Sequence, residues 1–548
     1  MAFLNELWSG VTDGLINTQQ SITLAAIATL LIVLFTTKAI SGNSVSVENN
    51  GKQKIPPVST HWIPFIGNTP FMIIGREGFL AGLRDRYEGI FSFTMMGKMH
   101  HFVYKPSLVT ALFNLQRPAE EDQTMTNRIL TSTFGLPKAD QNVYNSMLED
   151  ARAQYRHLLS EPGLSEITNV TLRLIKRRIA DLVTFNSYPA DQAEWERLAD
   201  ADVIENADGK GGSVVEADFM ELIRNFVAHT ASPAIFGTDF VENFPDVFKW
   251  IWTFDKGFVM LAAGVPTWVP LPRLQRGKQA RRRIQDYMYE FNQALEKHMD
   301  GQDPGPRWQD LDNVGRVVKG RAEEYRKHGM SLDGRAALDL ALLWSTTANS
   351  SPLIAWMLFE IYRDAVLLEQ IREEIAPYMK AVQPKNEFGP GVWVQPELET
   401  VDLDGLLTKC PLLKAAYVET LRLYTSVWMV KWMYHDTVLD ERGKDGESYL
   451  LEKGSYAHMP LELHQFDPTY FPEPNEWRAE RHIKEVVDEN GEKTLTADLG
   501  TIKPYSGGVK MCKGRAFALR EMLLFTSSII TFYDMQPAKG GRGRHRKR

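Results

Sequence analysis

Tyr505-Ser506-Gly507-Gly508-Val509-Lys510-Met511-Cys512-Lys513-Gly514-Arg515 is the stretch on which the reading of this chain turns. Cysteine is scarce, with only Cys410 and Cys512 in 548 residues. The glycines around Cys512 let the backbone turn tightly and approach a flat neighbour. Directly after it, Arg515-Ala516-Phe517-Ala518-Leu519-Arg520-Glu521-Met522-Leu523-Leu524-Phe525 carries apolar residues at i, i+3 and i+4 spacing, which predicts a helix. The thiol therefore falls on a glycine-rich loop that opens a helix. Backbone N–H groups and the positive end of the helix dipole favour a thiolate there. A thiolate so held suits the proximal position of a haem iron. The same residues also suit a buried free cysteine beside a glycine turn, a common fate of a lone thiol.

The spacing resembles the haem-binding loop of the haem-thiolate monooxygenases, the cytochrome P450 family. The places of that loop fall on Tyr505, Gly508, Lys510, Cys512 and Gly514. Phe is usual at the first and Arg at the third. The resemblance implies haem b, with Cys512 as the metal ligand.

Bulk properties are those of a globular protein. Hydrophobic residues make up 44% and charged residues 24%, so a large core is within reach. A formal charge of -7 and a pI near 6.0 argue against a nucleic-acid partner. Two cysteines give neither a disulfide framework nor a zinc pattern, which fits a reducing compartment.

Ser21 to Thr37 reads SITLAAIATLLIVLFTT without a charge, close to the roughly 18–20 residues that span a bilayer. Glu6 and Asp13 precede it; Lys38, Lys52 and Lys54 follow. The positive-inside rule puts the bulk of the chain in the cytosol. A buried helix of the folded domain is the other reading. Pro56-Pro57 and Trp62-Ile63-Pro64-Phe65-Ile66-Gly67 then stiffen a connector. The expected organisation is a lumenal N-terminus (1–20), a transmembrane anchor (21–38), a proline-rich hinge (39–70), a haem-binding catalytic domain (71–535) and a basic tail (536–548).

Gly89 to Tyr104 predicts two strands joined at Gly97-Lys98. The acidic, glycine-containing stretch from Ser187 to Val215 reads as a surface excursion. Residues 217–265 read as helices whose aromatics fill core or line an apolar pocket. Arg273 to Arg283 is a basic run, either a solvated face or a surface for a membrane or an acidic redox partner.

Leu338 to Glu360 reads as a long apolar helix with a polar notch at Ser345 to Ser351 and Pro352. It resembles the family's central helix across the distal face of the haem. The family's acid–alcohol pair, a proton relay, falls on Ala348 and Asn349. Ala348 carries no proton, and Asn349 hydrogen-bonds but is not an acid. A similar Asn followed by Pro occurs in the branch holding sterol 7α- and 12α-hydroxylases and prostacyclin synthase. Trp344 and Thr346 are candidate pocket residues on this helix.

Glu419 and Arg422 stand one helical turn apart and either pair at the surface or match the family's structural Glu–Arg pair. Arg481, in the segment from Phe471 to Arg481, takes the third place of that triad. Tyr424 to Met433 alternates like a strand. By resemblance Lys431 on it meets a haem propionate, and Val427 and Trp428 border the substrate pocket. Arg156 and His157 are further propionate candidates, or else part of a solvated helix face. His464 takes a structural or propionate place.

The resemblance implies a mostly α fold with small β-sheets and an N-terminal transmembrane helix. It implies oxygen insertion into a lipophilic, steroid- or terpenoid-like molecule at the endoplasmic reticulum membrane, with electrons from NADPH through cytochrome P450 reductase. Two alternatives stand beside it. Ala348 and Asn349 suit a haem-thiolate isomerase or dehydratase that needs no reductase. The ending GGRGRHRKR, where the family continues into a closing hairpin, suits an inactive haem-binding relative.

Overall fold

The computed structural model describes residues 22–41, 53–115, 126–204, 213–266, 268–385, 394–441, 446–487, 491 and 493–538. They form two compact units. The first draws on Met1–Leu115, Thr425–Glu476 and Thr501–Met511; the second on Gln116–Tyr424, Trp477–Gly500 and Cys512–Arg548. The fold is mostly α-helical with small sheets, as the sequence implies. The tail from 539 lies outside the described residues.

The first unit is built on two sheets. Ile90–Met95 and Lys98–Val103 form an antiparallel hairpin, extended by Tyr456–Pro460 and then by Trp428–Trp432. Ile90, Phe91 and Phe93 are buried, and Phe91, Phe93 and Phe102 stack on one another. The hairpin turns at Met96–Gly97, one residue earlier than expected. Both residues have positive φ, which fits the tight turn that matches strand twist. A second sheet orders Gln53–Lys54, Ser448–Leu451 and Thr437–Asp440.

The expected hinge is part of this architecture. Gln53–Lys54 pairs in parallel with Ser448 and Tyr449. The Ser92 amide donates to the Pro57 carbonyl at 2.7 Å, the Ser59 amide to the Ser92 carbonyl at 2.7 Å, and the Asn68 amide to the Thr94 carbonyl at 2.8 Å. Proline lacks a donor but keeps its carbonyl, so a proline-rich segment still lines a sheet edge. Described residues from Gln53 onward thus pair with the sheets of the first unit.

Among the described residues the apolar N-terminal helix runs Ile22–Ile40. It is long and apolar enough to cross a membrane, and its large side chains are exposed. The Thr29 and Thr37 hydroxyls donate back to the Ala25 and Val33 carbonyls, which satisfies them within the helix. At its end Lys38 bonds to the Thr60 hydroxyl and lies over the Trp62 ring. The Ser41 hydroxyl accepts from the His61 amide at 3.0 Å and donates to its carbonyl at 3.1 Å.

The second unit is helical. Its core holds Phe236, Phe240, Phe248, Phe254 and Phe291, so most aromatics of 217–265 do fill core. Helix Val247–Ala262 packs on the long helix Pro272–Met299 where Gly257 meets Gly277. A Cβ on either would come within about 3 Å of the other's Cα, so glycine sets this approach. The basic run from Arg273 lies on the long helix, with Arg273, Arg276 and Arg282 exposed and Arg281 donating to the Ser132 carbonyl at 2.8 Å.

The expected surface excursion is more ordered than its composition suggests. It contains the helix Glu194–Leu198 and the paired strands Asp202–Ile204 and Val214–Glu216. Trp195 and Glu196 are buried there. Glu196 accepts from the amides of Thr184 and Ala193 and from the Thr184 hydroxyl, which stabilises a carboxylate out of water.

Candidate active site

The cysteine loop is shaped from its own residues upward. On the first unit, Ser506 and Gly508 have positive φ, and Gly508–Lys510 forms a single 3-10 turn. A Cβ on Gly507 would stand 2.4 Å from the Phe113 ring, and one on Gly508 2.7 Å from the Phe113 carbonyl. Glycine is therefore required at both positions by close approach, and at Gly508 also by φ. Tyr505 is half-buried and Lys510 exposed.

On the second unit, Cys512 is a free, exposed thiol three residues before the helix Arg515–Phe532. The Arg515 guanidinium donates to the Cys512 carbonyl at 2.9 Å. A Cβ on Gly514 would meet nothing nearer than Cys512 Sγ at 3.9 Å, so the loop leaves the sulfur side open. Phe517 anchors the helix in the unit's core. The buried cysteine is Cys410 instead. Its thiol is pushed up to about 12 by burial and by Glu374 and Asp402, and so stays inert. A soft sulfur donor on an exposed loop just before a helix fits a haem iron.

Glu419 is the centre of a buried charge cluster. It stands on helix Pro411–Tyr424, and its side chain and that of Arg422 are both 0% exposed. Arg422 Nε donates to Glu419 Oε2 at 2.7 Å and Nη2 to Oε1 at 2.8 Å, a two-pronged pair. Arg481 Nε stands 3.1 Å from Oε1. Two further partners had no sequence signal. His482 Nε2 lies 2.8 Å from Oε2, and the Arg478 amide donates to Oε1 at 2.9 Å. Burial alone would raise the Glu419 carboxyl, but hydrogen bonds from Arg422 and His482 outweigh it and hold the group below its usual range. Glu419, Arg422 and Arg481 are thus brought together, and not at the surface.

The expected long helix is two helices, Leu332–Thr347 and Ser350–Arg363, broken at Ala348–Asn349. Pro352 is the third residue of the second helix, where its missing N–H would have had no intrahelical partner. The Asn349 amide reaches the Ser345 carbonyl at 3.4 Å, and the Ser350 hydroxyl reaches the Thr346 carbonyl at 3.3 Å. Ser345 and Asn349 are exposed, while Ser350 and Ser351 are buried. Trp344 stacks on Phe258 with centroids 4.1 Å apart and donates to Asp255 at 2.9 Å. The Thr346 hydroxyl turns back to the Leu342 carbonyl at 3.0 Å.

On strand Trp428–Trp432, Lys431 is buried and its ammonium bonds to the Leu112 carbonyl. Val427 packs with the cluster around Leu112 and Leu461, whereas Trp428 packs with that around Phe91 and Phe102. The two expected pocket residues therefore sit in different clusters. The Trp428 indole donates to His458 Nδ1 at 3.0 Å, which leaves His458 to donate from Nε2 to His100 Nδ1 at 2.8 Å. His464 bonds to the Thr501 hydroxyl at 2.8 Å, and burial pushes it down to about 4, so it is a neutral structural side chain.

Arg156 and His157 lie in the 3-10 turn Gln154–Leu158, with Arg156 exposed. Burial, then Arg156 and Arg316, lowers the His157 imidazole. His157 packs so closely on Gly163 that a Cβ there would stand 2.6 Å from its Cα.

One titratable group escaped the sequence reading altogether. Glu521, inside the predicted cysteine helix, is 3% exposed. Its only signal was a lone acid among Met522, Leu523, Leu524 and Phe525.

Comparison with known proteins agrees with this geometry. The family model for cytochrome P450 matches residues 56–546. A cytochrome P450 monooxygenase of Gibberella zeae is 27% identical over 336 residues, covering 61% of this chain and 58% of that protein. Cytochrome P450 7B1 of Mus musculus is 24% identical over 520 residues, covering 93% and 90%. The 25-hydroxycholesterol 7-alpha-hydroxylase of Rattus norvegicus is 29% identical over 228 residues, covering 40% and 51%. With an open cysteine loop, a buried Glu–Arg cluster and a match across nearly the whole chain, this protein belongs to the cytochrome P450 family of haem-thiolate monooxygenases.

Proposed function

We propose that the protein hydroxylates, or otherwise oxidises, a lipophilic steroid- or terpenoid-like molecule at the endoplasmic reticulum membrane, drawing electrons from NADPH through cytochrome P450 reductase. The observation that carries this reading is the exposed Cys512 thiol at the head of a long helix, in a chain of this family. The substrate class is supported by relatives named for 25-hydroxycholesterol and for sterol 14-alpha demethylation. The apolar helix Ile22–Ile40 supports the membrane.

Cys512 would ligate the haem. Lys510, Lys431, Arg156 and His157 are the candidates for its propionates, and Tyr505, Gly508 and Gly514 shape the loop. Glu419, Arg422 and Arg481 would brace that loop's side of the haem without touching substrate. Trp344, Thr346, Val427 and Trp428 would contribute to the pocket. When bound, haem activates dioxygen, so that one oxygen atom enters the substrate and the other leaves as water. Asn349 offers amide hydrogen bonds that orient a ligand but holds no acidic proton.

The test is the carbon-monoxide difference spectrum of the reduced protein, followed by turnover of a sterol panel with reductase and NADPH. A thiolate-type band that disappears in Cys512→Ala, with NADPH-dependent product, is expected. Ala348 and Asn349 favour a second reading, a haem-thiolate isomerase, which product formation without reductase would select. A thiolate band with no product under either condition would point to an inactive haem binder.

A further inference from the structure

Helices Val247–Ala262 and Leu332–Thr347 meet through a polar contact set in an aromatic wall. The Trp344 indole lies flat on Phe258, with centroids 4.1 Å apart and planes 8° from parallel, and donates to Asp255 Oδ1 at 2.9 Å. Asp255 and Phe258 are three residues apart on one helix, so they share a face and hold the indole together. Phe134 completes the wall, its ring 5.9 Å from Trp344, 6.1 Å from Phe258 and 5.8 Å from Phe254. An indole has a single donor, and here it is spent on Oδ1. Asp255 Oδ2 carries no hydrogen bond among the described residues, so this edge of the wall presents an acceptor.

Asp255 is exposed, as are Ser345 and Asn349 further along the second helix. Yet burial raises the Asp255 carboxyl, with the Trp344 hydrogen bond and then Arg224 and Lys256 pulling it back. An acid that keeps solvent contact while protein crowds it faces a recess rather than a convex surface. Trp344 precedes Ala348, where the helix breaks, by four residues, or about 6 Å of helical rise. A recess walled by aromatic rings with one placed polar group suits a lipophilic ligand. Two cations bear on what that ligand can bring to the acceptor. Lys256 follows Asp255 directly, and Arg224, although paired with Glu221, lies 4.7 Å over the ring of Trp252, three residues before Asp255. Their positive potential disfavours an ammonium group at Oδ2 and leaves a neutral donor, a hydroxyl. A ketone or ether oxygen there would meet Oδ2 lone pair to lone pair. A hydrocarbon would strip its water without replacing the bond.

We infer that Asp255 is the polar anchor of the substrate pocket, where it accepts a hydrogen bond from a hydroxyl group that the lipophilic substrate already carries. This rests on the reading of Trp344 and Thr346 as pocket residues of a monooxygenase. Phe134, Phe258 and Trp344 supply apolar area to any ligand of the right size and choose little among such ligands. Asp255 makes the choice, because a site built to hydrogen-bond a substrate hydroxyl rejects the analogue that lacks it. The reaction that supplies this substrate is then one that leaves an alcohol on it.

Calorimetric titration of the full-length, haem-loaded protein tests this with matched ligand pairs. A 3β-hydroxysterol, a diterpene alcohol and a long-chain alkanol are each compared with their deoxy analogue. The alcohol of at least one pair should bind ~10-fold tighter than its partner, as a hydrogen bond to a charged group implies. Asp255→Leu should bring that ratio close to one. Asp255→Asn keeps the shape and an acceptor, and should retain part of it. A residue that only braces the aromatic wall would, when replaced, weaken both members of a pair together and leave the ratio unchanged. That result, like equal affinity within every pair in the wild type, overturns the inference. Tighter binding of the matching amine than of the alcohol overturns the choice of a hydroxyl. If only the alkanol pair binds and discriminates, the inference stands and the steroid- or terpenoid-like reading falls. If the sterols bind tightly and no pair discriminates, that reading stands and the inference falls.

Discussion

Glu419 and Glu521 are both glutamates buried in the second unit, and they have opposite fates. Glu419 is ringed by Arg422, Arg481, His482 and the Arg478 amide, and is held as a carboxylate. Glu521 is buried among apolar neighbours, and burial pushes its carboxyl up to about 7. Burial penalises charge at both places; what differs is how many donors surround the acid. A carboxylate in a full cage fixes segments of chain to one another. A carboxyl governed mainly by burial can gain and lose a proton near neutral pH.

The contrast breaks most sharply at the cage. Glu419→Ala leaves the fully buried Arg422 without its counter-charge and should cost ~3–5 kcal/mol. Denaturant unfolding measures the loss, and an unchanged midpoint would contradict the cage. Next in size is a pH effect with opposite signs at the two sites. The Glu521 carboxyl titrates higher folded than unfolded, so the folded state holds the extra proton and stability falls as pH rises from ~4.5 to ~7. Thermal melts of Glu521→Gln should lack this slope, gaining ~3 kcal/mol on wild type across that window. At Glu419 the folded carboxyl titrates lower than usual. Its stabilisation is present above the ordinary glutamate range and is lost as pH falls through the folded value, so Glu419→Gln should remove an acid-side slope. A smaller change, His482→Ala, takes away one hydrogen bond to a charged group and should cost ~2 kcal/mol. Arg481→Lys keeps a charge near Glu419 but loses the planar fork, and should cost less than ~1 kcal/mol. If these last two matched Glu419→Ala, the cage would act as an indivisible unit rather than as a sum of bonds.

The sequence made one half of this contrast legible. Glu419 and Arg422 are a helical turn apart, and that spacing is visible in a string of letters. Their burial is not, because it depends on where Arg478, Arg481 and His482 return to the helix, and His482 gains its role only by that return. The cysteine loop was legible because glycine spacing is a local constraint, although the steric demand of Phe113 on Gly507 and Gly508 was not. Pro352 pointed to a break in the central helix, but the helix ends at Ala348–Asn349, since proline is at ease in a first turn. Pro56 and Pro57 suggested a connector because they lack donors, and their carbonyl pairing with the sheet is a tertiary fact. Trp195 and Glu196, inside an acidic stretch, show that composition misses a buried acid whose donors come from backbone amides. Glu521 was hidden because a helical pattern registers which face is apolar, not which polar group is trapped within it.

The junction at Thr60–Trp62 bears on how this enzyme can be handled. Ser41 closes two hydrogen bonds with His61, and Ile32, Val33, Thr36 and Ile40 share an apolar groove with His61 and Pro64. Cutting the chain away through Ser41 to obtain a soluble form would strip that partner from His61 and bare the flank of Pro64 beside Trp62 and Ile63. A truncated preparation would then carry a sticky seam of its own making. A gentler route to solubility is to keep the helix and recode its outward residues Leu24, Ile27 and Leu31 as polar.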